Sequence, residues 1–227
     1  MKKYILHMNR IQYKTIAEAM AITRCIARGE LNKVADLIAK NRTAQIKRLK
    51  VEAQEFDATI QALRLELMNI ETLCTQLPPG KYLNILKISK KGQMATGLNK
   101  RFKNQAMMLK STPNEIKTHE VNEEELQLVT QSCDIMMRLM CGQIDAIWEL
   151  IPEKARNDKM KSILAAMKAQ YQIKKETHPY VTDTIVGVHH KIWWLHDIMI
   201  VAEQKLNPNE NIIEKRGSLP LPKIEEK

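Results

Sequence analysis

Two interleaved rows of apolar residues, each spaced by seven, restrict what this chain can fold into more than any other feature. Ile46, Ala53, Ile60, Leu67 and Cys74 form one row, and Leu49, Phe56, Leu63, Ile70 and Leu77 form its companion. Apolar residues at these spacings draw a stripe down one side of an α-helix, and such a stripe is stable only against another helix. From Glu30 to Leu77 there is neither Gly nor Pro. A single helix over those residues is expected to run about 70 Å at about 1.5 Å per residue. Pro78, Pro79 and Gly80 end it.

The flanking segments read as helical too. An amphipathic stretch over 11–28 carries Ile16, Met20, Ile22 and Ile26, with Gly29 placed to close it. Asn122 followed by Glu125 has the spacing of a capping box, in which side chains and backbone N–H groups satisfy one another at a helix start. The helix after it carries Leu126, Cys133, Met140 and Ile147, with Val129, Met136 and Leu150 alongside and Gln143 as a polar break. Thr112, Pro113 and Glu115 have the same box spacing, with proline at the first helical position. Two more helices are expected over 153–176 and 180–206, separated by His178 and Pro179. From Asn207 onward the chain carries three prolines, Pro208, Pro220 and Pro222, and no periodicity. That segment is expected to be an extended or disordered tail.

Composition supports helices and excludes several alternatives. Seven Gly and eight Pro in 227 residues, with aromatics at 4%, are too few for an all-β barrel or sandwich, which needs frequent turns and aromatic strand formers. Hydrophobic residues at 44% exclude wholesale disorder. The longest nearly apolar stretch, 186–202, is interrupted by His189, His190, Lys191, His196 and Asp197, so no membrane span is expected. Lys2 and Lys3 precede only Tyr4, Ile5 and Leu6 before His7, which is too short for a signal peptide. Cys25, Cys74, Cys133 and Cys141 lie in helical patterns without paired spacing, as reduced thiols of a cytoplasmic or intracellular protein would.

The net charge of +10 is unevenly spread. Residues 1–45 carry +6 and 78–118 carry +8, whereas 119–151 carry −6. Lys87, Lys90, Lys91, Lys100, Arg101 and Lys103 surround Gly92 and Gly97 in the middle segment. A flexible basic stretch of this kind suits either the phosphates of a nucleic acid or an acidic helix of a neighbouring subunit. A helix–turn–helix is conceivable there, with its turn at 90–93. Gly92 to Gly97 also has the glycine spacing of a nucleotide-binding loop, but Leu98 and Asn99 stand where the lysine and hydroxyl must be, so that reading fails.

Catalytic and metal patterns are weaker still. His189 and His196 lie seven apart around Trp193, without the i, i+4 pair and glutamate of a helical zinc site or the Glu-x-x-His pairs of a di-iron bundle. Packing or interface histidines are expected. Trp193 and Trp194 point about 100° apart on a helix, so one should enter the core and the other an edge or interface. No nucleophile elbow, C-x-x-C pair or dinucleotide fingerprint occurs.

The expected fold is therefore all-α: an elongated bundle of long antiparallel helices with coiled-coil-like heptad packing, a basic connector and an extended C-terminal tail. One helical domain over 1–206 would comprise an N-terminal arm (1–29), the heptad helix (30–77), the Gly-containing connector (78–121) and three helices (122–206), followed by the tail (207–227). The expected function is non-enzymatic: a homo-oligomeric subunit of a viral or other macromolecular assembly, an adaptor whose interfaces use Ile46, Leu49, Phe56, Ile60, Leu63, Leu67, Ile70, Leu77, Trp193 and Trp194. The alternative is a nucleic-acid-binding protein that contacts phosphates through 81–110. A pocket enzyme built on His189, His196 and Asp197 is a third reading. No cofactor, metal, membrane or small-molecule substrate is expected.

Overall fold

The computed structural model describes residues 2–28, 30, 33–34, 90–140, 143, 147–148, 153, 156–171, 186–208 and 219–227. The order of elements is β1 (Lys3–Met8), α1 (Arg10–Ala27), α2 (Lys90–Met108), β2 (Lys117–Asn122), α3 (Glu123–Met140), α4 (Asp158–Tyr171), α5 (Val186–Leu206) and β3 (Lys223–Glu226). The chain forms two compact units. One contains Met1–Arg24, Ile88–Met137 and His190–Lys227, and the other contains Cys25–Lys87 and Arg138–His189.

The first unit is built on a sheet that the all-α expectation omits. Its three strands lie in the order β2-β1-β3, and both pairings are antiparallel. In β1 the side chains alternate as a strand requires, with Tyr4, Leu6 and Met8 buried and Lys3 exposed. Leu6 pairs with His119 on one side and Ile224 on the other, and Tyr4 pairs with Val121. The fold class is thus mixed, with helices packed on a small antiparallel sheet, and the all-α helical-bundle description is wrong. The connector holds α2 and β2, and the end of the tail is β3.

The physical reason lies in how little each strand says locally. Val121 is the one fully buried residue of β2, and Ile224 is the one in β3. The strands come from three distant parts of the chain, so their pairing leaves no hairpin signature. The heptad residues that carried the coiled-coil expectation all lie outside the described residues. Nothing in the described fold supports a virion or assembly-adaptor reading.

Two capping boxes fix how helices leave the sheet. The Asn122 side chain accepts from the Glu125 N–H at 2.9 Å, and the Glu125 carboxylate accepts from the Asn122 N–H at 3.0 Å. Asn9 and Gln12 make the same exchange at 3.0 and 2.9 Å, so Asn9 alone separates the end of β1 from the start of α1. The Thr112–Glu115 spacing instead closes a turn: the Glu115 N–H donates to the Thr112 carbonyl at 3.0 Å, and β2 follows rather than a helix.

The core of this unit lies between the inner sheet face and the helices. Tyr13, fully buried on α1, stacks on Phe102 of α2 with ring centroids 5.9 Å apart. Phe102 meets His119 of β2 edge-on at 5.5 Å. The Tyr13 hydroxyl lies 3.2 Å from the Leu6 carbonyl and 3.0 Å from that of Lys117, so its proton is shared between two strands. Burial pushes this phenol far above its ordinary pKa and keeps it a donor. Thr23 of α1 donates to Ser132 of α3 at 2.8 Å, in a buried contact.

Of the second unit, the described residues include the last residues of α1 and α3, all of α4 and the first residues of α5. Val34, Ile147, Ile163 and Leu164 are buried there. The Arg156 guanidinium lies 5.4 Å from the centre of the Trp148 ring. Among the described residues, no helix is long and apolar enough to cross a membrane.

Candidate functional site

Helix α2 does not contain the turn that its glycines suggested. It is continuous over Lys90–Met108, which removes the helix–turn–helix reading. A glycine inside a helix costs only about 1 kcal/mol relative to alanine, and packing can outweigh it. Gly92 is buried, and its carbonyl accepts from the Thr96 hydroxyl at 2.8 Å. Ala95, Leu98 and Phe102 are buried at helical spacing. Lys100 and Lys103 fall between them on the exposed side.

Contacts between α1 and α2 set their direction. The Asn99 side-chain amide donates to the Ala17 carbonyl, and Phe102 stacks on Tyr13. Rising numbers on α1 therefore meet falling numbers on α2, so the helices run antiparallel. Between them lies a groove of about 740 Å³. Arg10, Lys14 and Arg24 contribute from α1, Lys100 and Lys103 from α2, and Lys110 from the turn that follows it. Ala17, Gly97, Ala106 and Met107 supply the apolar lining.

The charges of the groove are unbalanced. Glu18 is its one carboxylate among the described residues, and it pairs with Lys191 of α5. None of the six cations has a carboxylate within 4 Å among those residues. The Nε of Arg24 is buried and has no hydrogen-bond partner among them.

Beside the groove, Arg101 points elsewhere and pairs with Glu125 at the start of α3. The basic segment thus does meet an acidic helix, but within one chain. His119 lies close by, with Nδ1 3.5 Å from the Gln105 amide and a buried Nε2 that lacks a partner among the described residues. Burial, and then the positive charge of Arg101, hold its pKa below the usual histidine value, opposed by Glu125.

Of the residues expected to contact an anion or acidic partner, Lys100 and Lys103 line the groove and Arg101 does not. Lys90 and Lys91 begin α2, with side chains outside the described residues, where Lys87 also lies. Trp193 and Trp194 of α5 are both half-buried. His196 Nδ1 stands 3.6 Å from a carboxylate oxygen of the buried Asp197, and His189 lies in the first turn of α5. No three His, Cys, Asp or Glu side chains among the described residues could hold a metal together. Cys25 and Cys133 are buried thiols, and burial, then Asp134, raises the pKa of Cys133 far out of the reactive range.

Arg10, Lys14, Arg24 and Lys110 are the groove residues that sequence reasoning missed. The i, i+4 spacing of Arg10 and Lys14 was a usable signal for a shared helix face. That this face meets α2 depends on a pairing of segments some 80 residues apart, of which Asn99 and Ala17 are an example. Comparison of the chain with protein-family models, curated proteins and solved structures found no match.

Proposed function

We propose that this chain binds nucleic acid through the α1/α2 groove, by contacts from lysine and arginine to backbone phosphates, and that it catalyses no reaction. The observation that carries the reading is the set of six cations without carboxylate partners among the described residues, five on two antiparallel helices and Lys110 just past the end of the second, around one groove. At about 1.5 Å per residue, Arg10 to Arg24 spans about 21 Å, and Lys100 lies about 12 Å from the end of α2 at Met108, with Lys110 beyond it. Such a double row suits a ligand that carries regularly repeated negative charge along its length. The overall charge of +10 would hasten encounter with it.

The test is fluorescence anisotropy with a labelled mixed-sequence oligonucleotide, comparing the wild type with Lys100→Glu/Lys103→Glu. The double reversal is expected to weaken binding about 100-fold, or about 2.8 kcal/mol. Both side chains are exposed, so the melting temperature should not change. Unchanged affinity in the variant would refute the reading.

A further inference from the structure

We infer that the groove takes a single strand in preference to a duplex, with phosphates at its cations and sugars and bases against its apolar lining. This rests on the nucleic-acid reading above and narrows it. A duplex turns its phosphates outward and stacks its bases inside, so it would leave Ala17, Ala106 and Met107 facing charge. A single strand carries both kinds of surface at every nucleotide and can satisfy both kinds of wall.

Gly97 is a second, independent observation. It is exposed, lines the groove, and a Cβ placed there would meet nothing within 4 Å. No described neighbour therefore requires glycine at this helical position, where alanine would favour the helix by about 1 kcal/mol. Glycine is the residue that lets a ligand approach a backbone closely. The open space over Gly97 lies among the groove residues Thr96, Lys100 and Arg24.

Among the described residues no aromatic ring lines the groove, and Tyr13 and Phe102 are buried in the core. Grooves that bind single strands by base stacking use exposed aromatic rings, so contact here is dominated by phosphate and shows little base preference. The two cation rows would cover about four nucleotides, the lower end of known site sizes.

The experiment measures binding of a labelled single strand of about 12 nucleotides, and of a hairpin duplex of equal charge, to the full chain and three variants. The wild type is expected to prefer the single strand about tenfold at equal salt. Gly97→Ala should raise the melting temperature and keep affinity within about threefold, whereas Gly97→Trp should fold and lose at least about 30-fold. Met107→Glu, at a side chain 65% exposed, provides a second obstruction should the tryptophan disturb folding, and it should also weaken the single strand. Tight single-strand binding unchanged by either obstruction, or an equal preference for the duplex, would overturn the single-strand inference and leave nucleic-acid binding standing. Binding of neither oligonucleotide would remove the nucleic-acid reading itself. Displacement of the strand by an acidic amphipathic peptide that binds more tightly would reassign the groove to a protein partner.

Discussion

The outer face of the sheet and the α1/α2 groove use the same residue types to opposite ends. On the sheet, Glu120 sits between Lys3 and Lys227, with each nitrogen 2.6 Å from a carboxylate oxygen. Glu225 similarly holds His7 at 2.7 Å and Lys223 at 2.5 Å. Cations there are answered within the fold. In the groove, Lys14, Lys100, Lys103 and Lys110 are exposed and unanswered among the described residues. A surface whose charges are balanced gains modest stability from them, whereas one left unbalanced keeps its field for a ligand.

The sharpest way to break the contrast is to remove what lies beneath both surfaces. Phe102 is fully buried between Tyr13 and His119. Phe102→Ala should cost about 3–5 kcal/mol of stability in a denaturant titration, and binding should fall with the folded fraction. A cost below about 1 kcal/mol would mean that the sheet and α2 do not share this core.

Titrating His119 probes the same junction with a smaller effect. Its folded pKa lies below the ordinary 6.5, so the unfolded chain binds the proton more readily. The stability that follows from a neutral His119 is fully present above the unfolded pKa. It declines as pH falls from there toward the folded pKa. His119→Gln should flatten this part of a melting-temperature profile, and an unchanged slope would place the proton elsewhere.

The smallest effect belongs to the outer sheet face. Hydrogen bonds from Lys227 and then Lys3 lower the Glu120 pKa to about 2. Its contribution is present above the ordinary carboxylate range and is lost as pH falls from about 4.5 toward 2. Glu120→Gln should lessen the loss of stability in acid, with little change at neutral pH because the pair is exposed and screened. Nucleic-acid affinity should be unaffected, in contrast to the groove reversal. Loss of affinity in Glu120→Gln would erase the distinction between the two surfaces.

Legibility in the sequence followed the range of each interaction. Helix α1 was readable because its apolar spacing and its boundary lie within a few residues, and the Asn122–Glu125 cap was readable for the same reason. Tyr4, Leu6 and Met8 alternate as a strand does, yet the run is short and sits where a leader peptide would be sought first. His119 occupies an inward position of β2 and masks its period. β3 has one buried residue among charges and resembles a solvated tail until β1 is beside it. At the groove, the clustering of Lys100 and Lys103 was visible. The other wall, with Arg10, Lys14 and Arg24, became visible only when α1 was laid against α2.

The most direct test of phosphate binding in the groove is the salt dependence of affinity for a single strand. A site of about four nucleotides offers about four phosphates to the groove cations, which sets a limiting slope of log K against log salt of about −3, at about −0.7 per neutralised phosphate on a single strand. Binding with a slope near that limit, made shallower by about 0.7 on neutralising Lys100→Gln, is the predicted result. A slope near zero, or one that Lys100→Gln leaves unchanged, would contradict it.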